Sequence, residues 1–190
     1  MDNVCVENLD PRIRRTRQLL QQALEKLLLK KDFGEISVQD IADAATVNRV
    51  TFYDHYTDKF ALLECVVGSR FGELIAERNI CFEGTCSSAL KPIVLAVCDF
   101  LGSKKNRRKK MEPHLESAVI AVVRRMLLEG LNKGRSSTPV PPEMAATTIS
   151  WAIYGAAQEW LHMSHRPPSE EIAVQIVALV DPMLRVVRGA

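Results

Sequence analysis

Apolar residues in this chain return every three or four positions and almost nowhere at every second one. That period is the helical one, so it excludes any fold resting on amphipathic strands. Between Pro11 and Gly34 the inward set is Ile13, Leu20, Leu24, Leu27 and Leu28. Pro11 suits the first position of a helix, while Lys30, Lys31 and Gly34 suit its end. Ser37-Val38-Gln39-Asp40 has the form of a capping box and opens a short helix with Val38, Ile41 and Ala42 inward. Asn48 reads as the N-cap of another short helix, from Arg49 to Tyr56. Thr57 is placed as the cap of a longer one, with Phe60, Leu63, Val67, Phe71 and Leu74 as its apolar face. Four more helices are predicted near 87–101, 112–132, 142–163 and 169–187, separated by Gly102, by Gly134 with Ser136–Pro142, and by Pro167-Pro168. The predicted fold class is all-α, with no internal repeat.

At 190 residues, 47% hydrophobic and 25% charged, the chain has a globular composition and enough length to bury a core. Its longest uncharged stretch, Met144 to Gln158, is shorter than the roughly 20 apolar residues a membrane span needs. The N-terminal MDNVCVENLDPRIRRTR contains no apolar segment of the secretory kind. The expectation is therefore a cytoplasmic protein with no membrane partner. Five cysteines without paired spacing fit a reducing compartment better than a disulfide framework. Cys81 and Cys86 flank a loop whose sequence holds nothing that would activate a thiol. His162 and His165 share a helix face but lack a third ligand, so no metal is predicted, and no cofactor. G-x-S-x-G, a Gly-rich phosphate loop and a close carboxylate pair are all missing, so an enzyme is not expected.

The 25 basic and 23 acidic side chains nearly cancel, so position has to carry any argument about nucleic acid. Two concentrations stand out. One is the arm Arg12, Arg14, Arg15, Arg17. The other is the run Lys104, Lys105, Arg107, Arg108, Lys109, Lys110, which is either a solvated loop or a source of additional phosphate contacts.

Residues 37–56 hold two short helices joined by about four residues, the spacing of a helix-turn-helix. Ile41, Ala42, Val47 and Phe52 face inward, and Asn48, Arg49, Val50, Thr51 and Tyr53 face outward. That outward set suits a DNA groove: a guanidinium for guanine or phosphate, hydroxyls for phosphate, a methyl-bearing side chain for thymine. The segment ISVQDIADAATVNRVTFYDHYTDKFALL closely resembles the DNA-binding segment of TetR-family transcriptional regulators. The resemblance is carried by Ile41-Ala42, Ala45-Thr46-Val47, Thr51-Phe52-Tyr53-Asp54-His55-Tyr56 and Lys59, and covers roughly residues 11–65. It implies a three-helix helix-turn-helix DNA-binding domain at 1–57, followed by a helical ligand-binding and dimerisation domain at 58–190. It also implies a sequence-specific regulator, a dimeric repressor on double-stranded DNA with a near-palindromic operator, released by a small-molecule effector. In that reading Thr51, Tyr53 and Lys59 hold phosphates and Arg49 and Val50 read bases. Ser37 and Asn48 lie at the helix starts, His55 packs or touches the backbone, and Arg12 and Arg14 extend the contact. Thr46 departs from the family at a turn that usually takes glycine, and Val50 replaces a small residue. If those departures abolish DNA reading, the alternative is a helical interaction protein with a degenerate helix-turn-helix.

The last helix, Ile172 to Val187, is apolar almost all round and should leave Val174, Ile176, Val177, Val180, Leu184 and Val187 as an exposed patch, with Pro182 kinking or shortening it. Gly155-Ala156-Ala157 on the preceding helix would allow close approach. Gly155, Ile176, Val177, Val180 and Leu184 are therefore the predicted homodimer interface. Val97 and Phe100, with Trp151, Tyr154 and Gln158, are the candidates for a pocket suited to a small hydrophobic effector.

Overall fold

A computed structural model describes residues 10–78, 90–103, 113–132 and 140–188. The Lys104–Lys110 run and the pair Cys81 and Cys86 lie outside those residues. The described residues form eight α-helices, one 3-10 turn and no strand. They divide into two compact units, residues 1–69 with 112–118, and residues 70–111 with 119–190.

The first unit is built from α1 (Pro11–Leu28), a 3-10 turn (Phe33–Glu35), α2 (Val38–Ala45), α3 (Arg49–His55) and the start of α4 (Lys59–Glu77). Asp10 Oδ1 caps α1 by accepting from the Arg12 N–H at 2.8 Å, with Pro11 at the first helical position. Leu20, Ala23 and Leu24 are its buried stripe. Ile13 is exposed rather than inward, because it lies in the first turn, beyond the part of α1 that packs. Ile41, Ala42 and Phe52 are buried where α2 and α3 meet, so Ala42 is small where the sequence requires it to be. The cap of α4 is Asp58, not Thr57: Asp58 Oδ1 accepts from the N–H groups of Phe60 and Ala61, both at 2.8 Å. Phe60, placed inward by periodicity, is 44% exposed, with one ring face against Phe33.

The turn between α2 and α3 is a Schellman closure. Val47 N–H donates to Ala42 O at 3.0 Å and Thr46 N–H to Asp43 O at 3.1 Å. Thr46 sits at φ 57°, ψ 43°, the left-handed region where glycine is favoured. The turn keeps its shape and Thr46 carries the strain.

The second unit holds α5 (Leu90–Gly102), most of α6 (Pro113–Asn132), α7 (Pro142–His162) and α8 (Ser169–Arg188). Helices α5, α7 and α8 pack on one another. Helix α5 is buried nearly all round, from Leu90 through Leu101. Cys98 lies inside it, and burial pushes its thiol up to about 12, the behaviour of an inert packing residue. Arg78, just after α4, ties three segments together. It donates to Asp99 Oδ2 at 2.9 Å and to Glu170 Oε1 at 2.8 Å, while Ser169 Oγ donates to Asp99 Oδ1 at 3.0 Å. Helix α8 continues through Pro182 instead of ending there. Pro182 and Ala178, whose carbonyl it leaves without a donor, are both exposed, so water can satisfy that carbonyl.

Thr46→Gly removes a left-handed β-branched residue worth about 1–2 kcal/mol of strain, set against about 0.4–1 kcal/mol of added unfolded-chain entropy. The expected outcome is a gain of up to about 1 kcal/mol in denaturant unfolding, with Thr46→Val no better than the parent. Equal or lower stability of the glycine variant would show that the threonine side chain itself supports the turn.

Candidate nucleic-acid interface

Helix α3 is seven residues long and is held from both ends. At its start Asn48 Oδ1 accepts from the Val50 N–H at 3.0 Å. At its end Arg17 of α1 donates to the His55 carbonyl at 3.3 Å, its guanidinium 5.3 Å from the Tyr56 ring centroid. Between them Phe52 is fully buried. Rotation about the helix axis is thereby set, and Asn48, Arg49, Val50, Tyr53 and Asp54 are left outward. Val50 is 67% and Tyr53 48% exposed, although both are large and apolar or aromatic. Arg49 Nη2 donates to Tyr53 Oη at 3.3 Å.

Four of the predicted contacts, Asn48, Arg49, Val50 and Tyr53, therefore share one solvent face. Thr51 is half-buried at its edge. His55 is half-buried too, and burial, then the nearby Arg17 charge, depresses its pKa, which favours a neutral ring. Arg12 and Arg14 are exposed in the first turn of α1.

Ser37 and Lys59 are occupied differently from what the resemblance implies. Ser37 is exposed, but its hydroxyl donates to Asp40 Oδ2 at 2.6 Å and its N–H to the same oxygen at 2.7 Å. Asp40 N–H returns a bond to Ser37 Oγ at 3.1 Å, and Lys31 approaches the carboxylate at 3.1 Å. The two Ser37 bonds, then Lys31, hold the Asp40 carboxyl down at about 2. A carboxylate thus already occupies the start of α2. The Lys59 ammonium has three N–H groups, and three carbonyls take them: Phe33 at 3.0 Å, Gly34 at 3.2 Å and Ile36 at 2.7 Å. Its charge also lies 4.8 Å from the Phe33 ring centroid. Lys59 is a clamp between the 3-10 turn and α4, with no N–H left for a phosphate. The reason is local: the backbone between Phe33 and Ile36 aims its carbonyls at one point.

The pocket candidates divide as well. Val97, Phe100 and Tyr154 are buried and Gln158 is half-buried, its Nε2 donating to Tyr154 Oη at 2.6 Å. Trp151 is 53% exposed, on the outer stripe of α7 with Met144, Thr148 and Gly155. On α8 most of the expected patch is turned over, and of its members Val174 alone is exposed. Ile176, Val180, Leu184 and Val187 are buried in the chain's own core, and Val177 is half-buried. The exposed apolar side chains are Val174, Leu179, Met183 and Val186. The inner stripe recurs at i and i+4 and packs on α5 and α7, which a sequence apolar on every side cannot reveal.

Arg17 was legible only as one of four arginines in an arm. Its spacing with Leu20 and Leu24, three and seven residues on, is the signal that turns it inward.

Residues 20–66 match the family model described as bacterial regulatory proteins, tetR family. Over 75 residues, 39% of this chain, the sequence is 39% identical to YxbF of Bacillus subtilis (strain 168), an uncharacterized HTH-type transcriptional regulator, covering 20% of that protein. Over 64 residues, 34% of this chain, it is 30% identical to DhaS of Lactococcus lactis subsp. lactis (strain IL1403), the HTH-type dhaKLM operon transcriptional activator, covering 34% of it. The match thus spans about a fifth of one relative and a third of the other. The fold extends further. A TetR transcriptional regulator from Streptococcus agalactiae 2603V superposes with TM-score 0.52 at 21% identity, covering 89% of this chain and 95% of that one. RolR, solved in complex with the ligand resorcinol, superposes with TM-score 0.53 at 15% identity, covering 93% and 94%.

Two outcomes follow from the clamps. Lys59→Met should lower unfolding stability by about 1.5–3 kcal/mol, the range for bonds to a charged donor, measured by urea titration without DNA. An unchanged midpoint would return Lys59 to the phosphate set. The Asp40 carboxyl titrates lower folded, at about 2, than its ordinary 3.8, so its contribution is full above about 4 and is lost as pH falls through about 2. Asp40→Asn should remove that part of the acid dependence, read as a flatter stability profile between about pH 4 and 2.

Proposed function

We propose that the whole chain, whose residues 20–66 match the model of the tetR family of bacterial regulatory proteins, is a sequence-specific DNA-binding transcriptional regulator: a dimeric repressor on a near-palindromic operator, released by a small hydrophobic effector. It acts where the DNA is, in the cytoplasm, and it is not an enzyme. Among the described residues no helix is long and apolar enough to cross a membrane.

The observation that carries the reading is the outward face of α3. A largely exposed valine and a half-exposed tyrosine beside an arginine bury little apolar surface, but they match what a major groove offers. Arg49 suits guanine O6 and N7, and Val50 suits a thymine methyl. Thr51 and the Tyr53 hydroxyl suit phosphates, with Arg12 and Arg14 adding charge. Lys59 acts one step back, by fixing α4 against the 3-10 turn.

Pairing of two chains is assigned to the exposed apolar residues Trp151 and Gly155 of α7 and Leu179, Met183 and Val186 of α8. A near-palindromic operator calls for two such helices about one turn of DNA apart. The effector site is assigned to the second unit, with Val97 and Phe100 as apolar wall and Tyr154 and Gln158 as polar groups. RolR, of similar fold, binds resorcinol, an aromatic ligand with hydroxyls, and an apolar wall with one phenol-amide pair suits the same kind of molecule.

Selection from a random DNA pool near 0.15 M salt, where non-specific attraction is partly screened, tests the reading. The expected product is an inverted repeat. Arg49→Ala should lose about 1–3 kcal/mol of discrimination at one base pair in each half, while Thr51→Ala should weaken all sequences alike. A folded dimer that enriches nothing would favour the interaction-protein reading, in which Thr46 and Val50 mark a helix-turn-helix that no longer reads DNA.

A further inference from the structure

Arg49 and Tyr53 stand one turn apart on α3. Helical side chains lean toward the N-terminus, so the phenol lies over the residue four positions earlier. Arg49 Nη2 donates to Tyr53 Oη at 3.3 Å, and the guanidinium carbon is 5.7 Å from the ring centroid. The phenol ring is itself braced. It meets the Phe52 ring at 5.4 Å and 84°, edge to face, and Phe52 is fully buried. A line of contacts therefore runs from the core of the first unit, through Tyr53, to the tip of Arg49.

An arginine that must be ordered to read a base loses side-chain entropy on binding, and one already resting on a ring loses less. The hydrogen count of the phenol allows two tasks at once. Its oxygen accepts from Arg49 and its single hydrogen remains available to a phosphate. We infer that Tyr53 is a positioning residue for base reading: it holds the Arg49 guanidinium at the N-terminal end of α3, so that one side chain joins backbone grip to sequence preference. The inference rests on the DNA-reading function proposed above. It goes further in making Tyr53 a determinant of specificity and not of affinity alone.

The test uses the full-length protein and the site it selects. Dissociation constants are measured on that site and on its single base-pair variants, for the parent, Arg49→Ala, Tyr53→Phe, Tyr53→Leu and the Arg49→Ala/Tyr53→Leu double variant. Tyr53 is surface-exposed, so these variants should fold, and circular dichroism checks that they do. The parent should discriminate at the Arg49-dependent base pair by about five- to a hundredfold. Tyr53→Leu, which removes ring and hydroxyl, should cut that ratio about two- to fivefold, the scale of an exposed cation–π contact. Tyr53→Phe, which keeps the ring, should retain more of the ratio than the leucine variant while binding every sequence more weakly. In the Arg49→Ala background the leucine change should leave the ratio where it is. In the free protein, the nitrogen-15 order parameter of Arg49 Nε should fall in Tyr53→Leu. Weaker binding by equal factors on every sequence, or an Arg49 Nε as ordered in the leucine variant as in the parent, overturns the positioning role. A parent without any sequence preference overturns the regulator reading instead. The Nε measurement needs no DNA and separates the two failures.

Discussion

A helix of seven residues does not persist in water, because nucleating the first turn costs more than so few bonds return. Helix α3 therefore exists only as far as the first unit holds it. Its fixed point is the full burial of Phe52 against the α2 crossing, where Ile41 and Ala42 are also sealed. Everything else on α3 follows from that one buried ring. It sets the rotation of the helix, which puts Arg49, Val50 and Tyr53 outward, and it braces the ring of Tyr53. The two ends are then tied by Asn48 and by Arg17. A side chain that reads a base has to be placed to within a fraction of an ångström, and such precision needs rigid support behind it.

The rest of the first unit steadies α3 and its neighbours by less direct routes. Lys59 gathers three carbonyls of the segment between α1 and α2 and places the start of α4 beside them. Asp40 and Ser37 close the start of α2 reciprocally, and Thr46 closes its end in a conformation that its branched side chain resists. In the second unit the organising element is α5, which packs against both α7 and α8 and is apolar nearly all round. Arg78 then joins Asp99 on α5 to Glu170 at the start of α8, a polar tie at the edge of an apolar core.

The features that could be read in the chain were those set by near neighbours. The capping box Ser37–Asp40, the Asn48 cap and Pro11 at the first helical position depend on residues two or three places apart, and all three are where the pattern put them. Ile41, Ala42 and Phe52 were likewise legible as inward, since a short amphipathic helix has only one apolar stripe to bury. Thr57 was read as the cap of α4, but the backbone geometry gives that place to its neighbour Asp58. Phe60 sat on the helical stripe yet stays partly in water, because a stripe near a helix end can run past its partner.

By itself, then, the sequence determined the helices, most of their caps and the inward set of the helix-turn-helix, because those rest on interactions within about one turn of the chain. Tertiary structure decided matters that depend on remote partners. Arg17 meets a carbonyl 38 residues away and becomes a clamp instead of a free arm. Lys59 meets carbonyls 23 to 26 residues back and is spent on them. Helix α8 is apolar on several sides, so its own residues cannot say which side faces inward. Packing against α5 and α7 chose Ile176, Val180 and Leu184, and left Leu179, Met183 and Val186 outside.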